Sequence, residues 1–376
     1  MHTLDGHDAG GQFLRRALTL SALTGESVRL EHVRGDRPNP GLANQHLAVL
    51  ETMAAITDAE VSGAELESET VEFDPRTGTG GDGAVEISGG EYAVDVGTAG
   101  SLTLLFDAVL PLATRLESPL TLTATGGTDV TWSPPVDYLR YVKLPLLRRH
   151  GLQAALDVDR RGFYPVGGGR LRLHLAPSRF ELLDFETRGD LAGVRVYSTE
   201  AAALADADVA QRQAEGALER LRNRIGADGA NVEVRERVET TAESACPGSV
   251  IVLGLEFEFA DDSPATTLTS HSRAGFSSLG EPGKPAERVG EEAANAAVTF
   301  LEGNGSVDAH LADQLLDFLV LGGGRLRIPA VTEHVETSLR LLEAFGSDSD
   351  SDFDLDLERW KNDDGSTLLV AGSELE

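Results

Sequence analysis

Residues 91–113 read EYAVDVGTAGSLTLLFDAVLPLA, and this stretch decides the fold. Its first part, residues 91–96, alternates apolar and polar side chains, which is the pattern of a half-buried strand. Its last part begins at Ser101, a residue type that caps helices well, and continues with apolar side chains at helical spacing. The small residues of 97–100 join the two parts. The stretch therefore predicts a strand, a tight turn and a buried helix.

The same alternation of short strands and amphipathic helices continues on both sides. Strands are predicted over 27–32, 71–73, 120–124 and 170–175, and helices over 12–24, 42–56 and 136–150. This alternation indicates an α+β fold built of α/β layers. A helix, a turn and strands with a Gly-rich corner recur near 42–100, 136–175 and 286–330 without a strict period, so a triplicated unit is predicted as well.

A different unit begins near residue 180. Residues 180–196 predict a strand, a turn and a strand, 209–225 predict an amphipathic helix, and 232–238 and 250–259 predict two further strands. We therefore expect an inserted α/β domain, with residues 270–285, rich in Ser, Gly and Pro, as the linker that returns from it. The acidic run SDSDSDFDLD at 347–356 predicts a solvated loop.

The charge balance restricts the function. The chain of 376 residues has 62 acidic and 32 basic residues, a formal charge of -30. This excludes a generally basic nucleic-acid-binding surface, although it allows a local basic pocket. Only Lys143, Lys284 and Lys361 are lysines. Many carboxylates with almost no lysine indicate adaptation to molar salt, where a Debye length of about 3 Å weakens repulsion between surface carboxylates. An acidic protein at ordinary salt is the alternative.

The cysteine count and the hydropathy pattern exclude other classes. Cys246 is the single cysteine, which excludes a disulfide framework and a cysteine-based metal cluster. The sequence has no window of 18 or more apolar residues, and its first apolar stretch already contains Arg15 and Arg16. We therefore expect a soluble, cytoplasmic protein that does not bind a membrane.

Two Gly- and Arg-containing stretches precede predicted helices. LDGHDAGGQFLR at 4–15 places glycines before a helix, whose backbone N–H groups can hold an anion, and Asp8 could hold a cation beside it. VRGDRPNPGL at 33–42 places Arg34 and Arg37 on a loop stiffened by prolines, which could form a phosphate clamp. The alternatives are an ordinary strand-to-helix turn and a surface loop whose arginines pair with local carboxylates.

Small-residue corners recur along the chain, as GTAGS at 97–101, GGTD at 126–129 and RGFYPVGGG at 161–169. In the last corner three glycines follow an aromatic pair, so it could form a wall against which a flat ring stacks. Each corner by itself indicates turn chemistry more strongly than a site.

The stretch IPAVTEHVE at 328–336 predicts the end of a strand, a cap at Thr332 and a helix with His334 in its first turn. The positive end of the helix dipole disfavours an imidazolium there, which leaves a nucleophilic ring, and the same N–H groups attract phosphate. HLADQ at 310–314 lies on the preceding predicted helix. Taken alone, a histidine in this position is more often structural.

In this order, the motifs resemble the RNA 3′-terminal phosphate cyclase family through roughly residue 345. The most specific parts are GGQFLR at 10–15, RPNPGL at 37–42, QH at 45–46, GTAGS at 97–101, GGTD at 126–129, GFYPVGGG at 162–169 and HLADQ at 310–314. The resemblance implies an α+β large domain of three repeated units, each a four-stranded sheet plus two helices, with a smaller inserted α/β domain. We expect the large domain at 1–180 and 276–345, the insert at 181–275, and an acidic loop and C-terminal strand at 346–376.

The resemblance also implies an ATP-dependent enzyme of the ligase class that forms phosphoric ester bonds. A histidine takes AMP from ATP, the adenylyl group passes to an RNA 3′-phosphate, and the neighbouring 2′-OH closes a 2′,3′-cyclic phosphodiester as AMP leaves. The implied partners are ATP, a divalent cation (Mg²⁺ or Mn²⁺) and an RNA that ends in a 3′-phosphate.

By position, the resemblance gives His334 the place of the nucleophile and makes Asp8 a candidate metal ligand. The residues implied to bind ATP or its phosphates are His310, Leu311, Ala312, Asp313, Gln314, Asp107, Arg15, Arg34, Arg37, Gln45, His46, Tyr164 and Pro165, of which Tyr164 and Pro165 would shape the adenine pocket. The chain departs from the family at two points. It has Asp8 where a Glu is usual, and Asp107 where bacterial members have a nucleotide-binding Gln.

Two other functions are compatible with parts of this pattern. A non-catalytic cyclase-like RNA-processing or ribosome-assembly factor would share the fold but lack the nucleophile, and His334 argues against it. An enolpyruvyl-transferase-like enzyme would share the repeats, but its substrate-binding signatures are not visible. Because counterion-release binding is weak for so acidic a chain, we expect recognition of an RNA end rather than of an RNA sequence.

Overall fold

The structure is a computed structural model that describes residues 1–75, 86–225, 232–258, 271–346, 355 and 357–372. The described residues form four four-stranded β-sheets with helices packed on them. The first sheet has the order β1-β2-β4-β3 and consists of β1 (His2–Asp5), β2 (Val28–Glu31), β3 (Glu60–Ser62) and β4 (Val71–Asp74). Its helices are α1 (Gly11–Thr24) and α2 (Asn44–Thr57).

The second sheet has the order β5-β6-β8-β7 and consists of β5 (Gly90–Asp95), β6 (Leu120–Gly126), β7 (Ala154–Arg160) and β8 (Gly169–Leu175). Its first helix, α3 (Leu102–Val109), ends in a 3₁₀ segment, Leu110–Thr114. Its second helix is composite, with α4 (Val136–Tyr138), a π-helical segment (Leu139–Lys143) and α5 (Leu144–Arg149).

The third sheet has the order β15-β16-β14-β9 and consists of β9 (Leu183–Phe185), β14 (Gly324–Ile328), β15 (Leu357–Lys361) and β16 (Thr367–Ala371). Its helices are α8 (Ala309–Gln314), α9 (Leu316–Gly322) and α10 (Glu333–Gly346). In each of these three sheets the first two strands in chain order are parallel, and the last two form an antiparallel pair beside the second. The predicted α+β fold class is confirmed.

The fourth sheet has another topology, with the order β11-β10-β12-β13. It consists of β10 (Asp190–Ala201), β11 (Val234–Ala242), β12 (Ser249–Glu258) and β13 (His271–Leu279). Helices α6 (Val209–Ile225) and α7 (Ala286–Glu302) pack on it and share a separate hydrophobic core with it. The two helices approach closely because Gly216 lies against the backbone of Glu287, and Gly290 against that of Gln213. A side chain at either glycine would collide with the opposite backbone.

Two expectations from the sequence are wrong in this region. Residues 270–285 are not simply a linker, because β13 lies within them and pairs along its length with β12. Small polar residues such as Ser277 and Ser278 fit a strand whose backbone is fully paired, which the linker-like composition concealed. Helix α7, expected to open the third repeat, packs instead on α6. The domain limits themselves stay predictions, and the limit at 275 falls inside β13.

The acidic run at 347–356 lies outside the described residues except for Leu355, which is buried. The main hydrophobic core is continuous through the first three sheets. Helix α1 is buried along almost its whole length and packs against α2, α3 and α10, which brings its N-terminus beside the start of α10. No helix in the described part of the chain is long and apolar enough to cross a membrane.

Candidate active site

A cavity of about 600 Å³ opens where α1, α3, α8 and the start of α10 meet. Of the candidate residues, it is lined by Arg15, Asp107, His310, Asp313, Gln314 and His334. These positions come from all parts of the chain, and the packing of α1 against α10 brings them together. The lining also includes Gln12, Arg16, Trp132 and Lys143, which sequence analysis did not assign to a site.

His334 lies in the first turn of α10 with an exposed ring. The hydroxyl of Thr332 accepts the backbone N–H of Val335 at 3.2 Å, so the predicted cap is confirmed. The Nδ1 atom of the ring contacts Oε1 of Gln12, which lies in the first turn of α1. The ring is therefore fixed at one nitrogen and faces the cavity, outside the apolar core.

The amide of Gln12 is oriented by its other contacts. Its Nε2 donates to Oδ1 of Asp313 at 2.7 Å, to Oγ of Ser338 at 2.7 Å and to the carbonyl oxygen of His334 at 3.1 Å. A carboxylate and a carbonyl can only accept hydrogen bonds, so the amide nitrogen must face them and the amide oxygen must face His334. An oxygen at that position requires a proton on Nδ1. In the neutral tautomer that donates from Nδ1, the nitrogen with the free lone pair is Nε2, which is then the candidate nucleophile.

Asp313 is held in turn by Arg16, which is buried. Nη1 of Arg16 lies 3.3 Å from Oδ1 of Asp313, and Nε lies 3.1 Å from Oδ1 of Asp317. Burial alone would lower the pKa of Arg16, but Asp317 and Asp313 outweigh it and raise that pKa. Burial raises the pKa of Asp317. Asp313 thus serves as the acceptor that positions Gln12. Asp313 itself also lines the cavity.

A cluster of cationic side chains surrounds the N-terminus of α1. Nη2 of Arg37 would lie 3.4 Å from a side chain placed at Gly10, and a side chain at Gly11 would collide with the ring of His46 and lie 3.3 Å from Nη1 of Arg15. The helix begins without a side-chain cap and has no acidic residue in its first turn. Its free N–H groups and the adjacent guanidinium groups therefore form a positive site, which suits an anion.

In the part of the chain that the structure describes, the arginines of this cluster lack carboxylate partners. Within the described ranges, Arg15, Arg34 and Arg37 form no ion pair, and Arg34 donates only to the carbonyl oxygen of Gly41 at 2.7 Å. Burial lowers the pKa of Arg15 to about 10, and burial together with Arg37 lowers the pKa of Arg34. Burial, with Arg15 and Arg34 nearby, also lowers the pKa of His46 to about 3. An anionic ligand would offset the free-energy cost of keeping Arg15 and Arg34 positively charged in this buried position.

Asp107 is neutralised by a residue that sequence analysis did not connect with it. Nζ of Lys143 lies 2.8 Å from its Oδ1, and Lys143 is only 1% exposed. An Asp beside a polyanion is unfavourable unless a cation intervenes, and here the buried ammonium supplies that cation. The Lys143 ammonium also lies 5.5 Å from the centre of the Phe318 ring.

The HLADQ stretch divides between the cavity and the core. His310 is exposed and its ring packs edge-on against Tyr138, with the ring centres 5.6 Å apart. Oε1 of Gln314 is buried without a hydrogen-bond partner, so it can accept an N–H or O–H of a ligand. Leu311 and Ala312 are fully buried in the hydrophobic core and only hold the helix in place.

Four other candidates, Tyr164, Pro165, Gln45 and Asp8, are not among the residues that line this cavity. Tyr164 and Pro165 are not among the lining residues of the cavity, and their loop packs beside residues 98–99 through Gly167. Gln45 lies beside Gly100. Asp8 lines a separate cavity of about 340 Å³. The atoms of His7, Asp8 and Asp36 that could bind a metal ion lie within 4.8 Å of one another.

The sequence signals for the missed residues were weak. Gln12 stands inside the quoted motif GGQFLR, but its partner His334 is 322 positions away. Lys143 is one of three lysines in a chain whose other basic residues are arginines, which is a compositional signal with no spacing to interpret. Ser338 follows His334 by one helical turn and was visible as a polar residue on the buried face of α10.

Comparison with known proteins gives a uniform result. A family model described as RNA 3′-terminal phosphate cyclase matches residues 7–349. A protein of that name from Halobacterium salinarum strain R1 is 45% identical and covers 99% of this chain and 100% of its own length. Those from Pyrococcus furiosus and Pseudomonas fluorescens are 38% and 36% identical, covering 92% and 91% of this chain and 93% and 91% of their own.

Among solved structures, the enolpyruvyl transferase NikO from Streptomyces tendae aligns with 48% of this chain and 33% of its own. The sequence identity is 15% and the TM-score is 0.26, which is too low to support an argument.

Proposed function

The chain belongs to the RNA 3′-terminal phosphate cyclase family, and we propose that it converts the 3′-phosphate of an RNA into a 2′,3′-cyclic phosphodiester at the expense of ATP. It is then an ATP-dependent enzyme of the ligase class. The observation that carries the proposal is the fixed ring of His334, whose Nδ1 is held by Gln12 and which lines the 600 Å³ cavity.

In the first step, Nε2 of His334 attacks the α-phosphorus of ATP. The N–P bond forms, the bond between the α- and β-phosphates breaks, and pyrophosphate leaves. Gln12 keeps Nδ1 protonated, so the attacking lone pair is at Nε2 from the start. The ring is therefore already oriented in the folded protein, so the reaction does not have to supply the free energy of ordering it.

In the second step, an oxygen of the RNA 3′-phosphate attacks the same phosphorus and releases His334, giving an RNA–AMP anhydride. In the third step, the 2′-OH gives its proton to the solvent and its oxygen attacks the terminal RNA phosphorus; the anhydride bond from that phosphorus to the AMP oxygen breaks, and AMP leaves. In both steps negative charge develops on phosphate oxygens in the transition state. Arg15, Arg34, Arg37 and the free N–H groups of α1 suit that charge because no protein carboxylate within the described ranges pairs with these arginines.

The nucleoside part of ATP is proposed to lie in the same cavity. Gln314 offers an unpaired acceptor for an N–H or O–H, and His310 offers an exposed ring. Asp107 can accept from a ligand hydroxyl because Lys143 neutralises its charge. Tyr164 and Pro165 lie outside the cavity, so we do not propose them as walls of the adenine pocket.

A divalent cation would neutralise the triphosphate charge as pyrophosphate leaves. The carboxylates of Asp8 and Asp36 and the imidazole of His7 form a ligand set that suits Mn²⁺. We propose this group as the cation-holding residues near the N-terminus of α1, and the three residues stay otherwise solvated.

The test uses ATP labelled at the α-phosphate, with Mg²⁺ or Mn²⁺ at high KCl. We expect a label on the protein that is lost in acid and kept in alkali, as a phosphoramidate is. His334→Asn should abolish the label, whereas Cys246→Ala should not change it. Normal labelling of His334→Asn would show that the nucleophile is wrongly assigned. A wild-type protein that binds RNA ends but never takes up label would be a non-catalytic RNA-processing factor.

A further inference from the structure

Trp132 is the most exposed large apolar residue of the described chain. Its side chain is 95% exposed, in a protein that has only two tryptophans. Its backbone has φ of 62°, in the left-handed region that bulky residues avoid. Neither burial nor a relaxed backbone explains this tryptophan, and such outliers persist only where the surrounding structure imposes them.

The loop that presents Trp132 is firmly anchored. On its N-terminal side, Asp129 is fully buried and both its oxygens accept from Arg161 at 3.1 Å. On its C-terminal side, the carbonyl oxygen of Pro134 accepts from the Thr103 hydroxyl at 2.8 Å, and Pro134 is buried. Within the loop, the Ser133 hydroxyl donates to Val130 at 3.3 Å. The flanks are fixed and the indole projects into solvent.

The indole belongs to the rim of the site already described. Trp132 lines the same cavity as His334 and Arg15. A flat aromatic surface at the rim suits a flat aromatic ligand, and the substrates of the proposed reaction supply two, the adenine of ATP and the last base of the RNA. The inside of the cavity already has His310 and Gln314 for a nucleoside. The rim is the part that a ligand extending out of the cavity meets.

The charge of the protein favours the RNA base. A chain with a formal charge of -30 gains little from releasing counterions along an RNA backbone, and high salt reduces that gain further. Stacking of a base on an aromatic side chain depends weakly on salt and accepts any base. It therefore supplies what an acidic protein lacks, which is affinity for the nucleoside beside the terminal phosphate.

We propose that Trp132 is the stacking platform for the 3′-terminal nucleobase of the RNA, and that this contact holds the terminal phosphate in the cavity near His334. The proposal rests on the proposed function. It adds a binding residue for the second substrate, distinct from the residues that bind ATP. It also predicts recognition of an RNA end without preference for its sequence.

The experiment exploits the two tryptophans. Trp360, 59% exposed on β15 and not among the residues that line the cavity, is replaced by Phe, so that Trp132 becomes the sole tryptophan. Its fluorescence is titrated at high KCl with three probes: a short oligoribonucleotide with a 3′-phosphate, the same oligomer with an abasic 3′-terminal nucleotide, and ATP alone. We expect quenching by the first probe only.

Kinetics in the same background provide the second measurement. Trp132→Ala should raise the KM for the 3′-phosphate RNA about tenfold or more, from the loss of one stacked base. Trp132→Phe should restore most of the affinity. Adenylylation of His334 by labelled ATP, without RNA, should be unchanged in both variants, which also shows that they fold. As a matched control, Trp360→Ala should leave the KM for RNA unchanged.

Several outcomes would overturn the proposal. Equal quenching by the abasic oligomer, or an unchanged KM for RNA in Trp132→Ala, would show that the terminal RNA base does not stack on Trp132. Quenching by ATP alone together with weaker adenylylation of Trp132→Ala would assign the indole to adenine. Failure of the proposed function is separate from these results, since it would show as a parent protein that takes up no label.

Discussion

The arginines of the fourth sheet and those around α1 are in opposite electrostatic states. On the sheet, Nε of Arg195 lies 2.9 Å from Glu256, Nη1 of Arg235 lies 3.2 Å from it, and Nη2 of Arg273 lies 2.6 Å from it. Around α1, Arg15 and Arg34 have no carboxylate partner within the described ranges, although acidic residues outnumber basic ones 62 to 32.

The difference separates arginines that stabilise the fold from arginines that we propose to bind phosphate. In the fourth sheet the protein supplies both charges, so the charges stabilise the fold and need nothing from outside. Around α1 the cations lie close together, and burial lowers the pKa of Arg15 to about 10. Their position at the uncapped N-terminus of α1, together with the lack of a carboxylate partner within the described ranges, is what points to an anion site. The following four variants test this comparison, from the largest expected effect to the smallest.

Lys143→Met tests a cation in the cavity that is paired. Removing Lys143 leaves Asp107 without its buried partner, and we expect the free energy of unfolding to fall by about 3 kcal/mol. Denaturant titration at fixed KCl measures this change. The double variant Lys143→Met with Asp107→Leu should regain most of the loss. Equal stability of the single and double variants would show that the pair contributes nothing.

Arg15→Met tests the unpaired cations. We expect kcat/KM for adenylylation to fall roughly 10- to 100-fold, because a charge-assisted contact to phosphate is lost. Arg237→Met is the matched control, since Arg237 pairs with Glu239 at 2.5 Å on the surface of the fourth sheet. It should change kcat/KM less than about twofold. Similar losses in the two variants would remove the distinction between the two regions.

Gln12→Met tests the residue that connects α1 to the nucleophile. The variant keeps the volume of the side chain but cannot fix the tautomer of His334, so kcat for adenylylation should fall about 10-fold or more. The KM for ATP should stay within about twofold, since Gln12 is expected to act through the ring. A raised KM with unchanged kcat would instead show that Gln12 contacts the nucleotide directly.

His46 gives the cationic cluster a pH signature. Its pKa is lowered to about 3 in the folded protein, while the unfolded chain titrates near 6.5. The unfolded state therefore binds more protons between these values, and the free energy of unfolding should fall as pH drops below 6.5, by at most about 1.4 kcal/mol per pH unit from this group. Protonation also removes the Nδ1 lone pair that accepts the N–H of Ala43.

His46→Gln should flatten this part of the pH profile, because Gln can still accept the N–H of Ala43 from the same position and does not titrate. Unfolding curves at several pH values and constant KCl measure the difference. An unchanged slope in the variant would mean that other groups set the acid sensitivity of this region.

The sequence determined the parts of the protein that depend on near neighbours. The strand and helix of residues 91–113 formed as β5 and α3, the hydroxyl of Thr332 caps α10, and His334 lies in its first turn. These features follow from periodicity, small-residue turns and caps, each of which acts over a few residues. The charge balance likewise excluded a generally basic nucleic-acid-binding surface.

Only the tertiary structure decided which distant residues meet. It paired Gln12 with His334, placed Lys143 beside Asp107, turned residues 271–279 into a strand and separated Tyr164 from the cavity. Local sequence cannot encode these outcomes, because hydrogen bonds and ion pairs between remote positions depend on how helices and sheets pack. The chemistry of each side chain follows from its residue type alone. Its partner depends on packing, as when the contact of α1 with α10 places Gln12 beside His334.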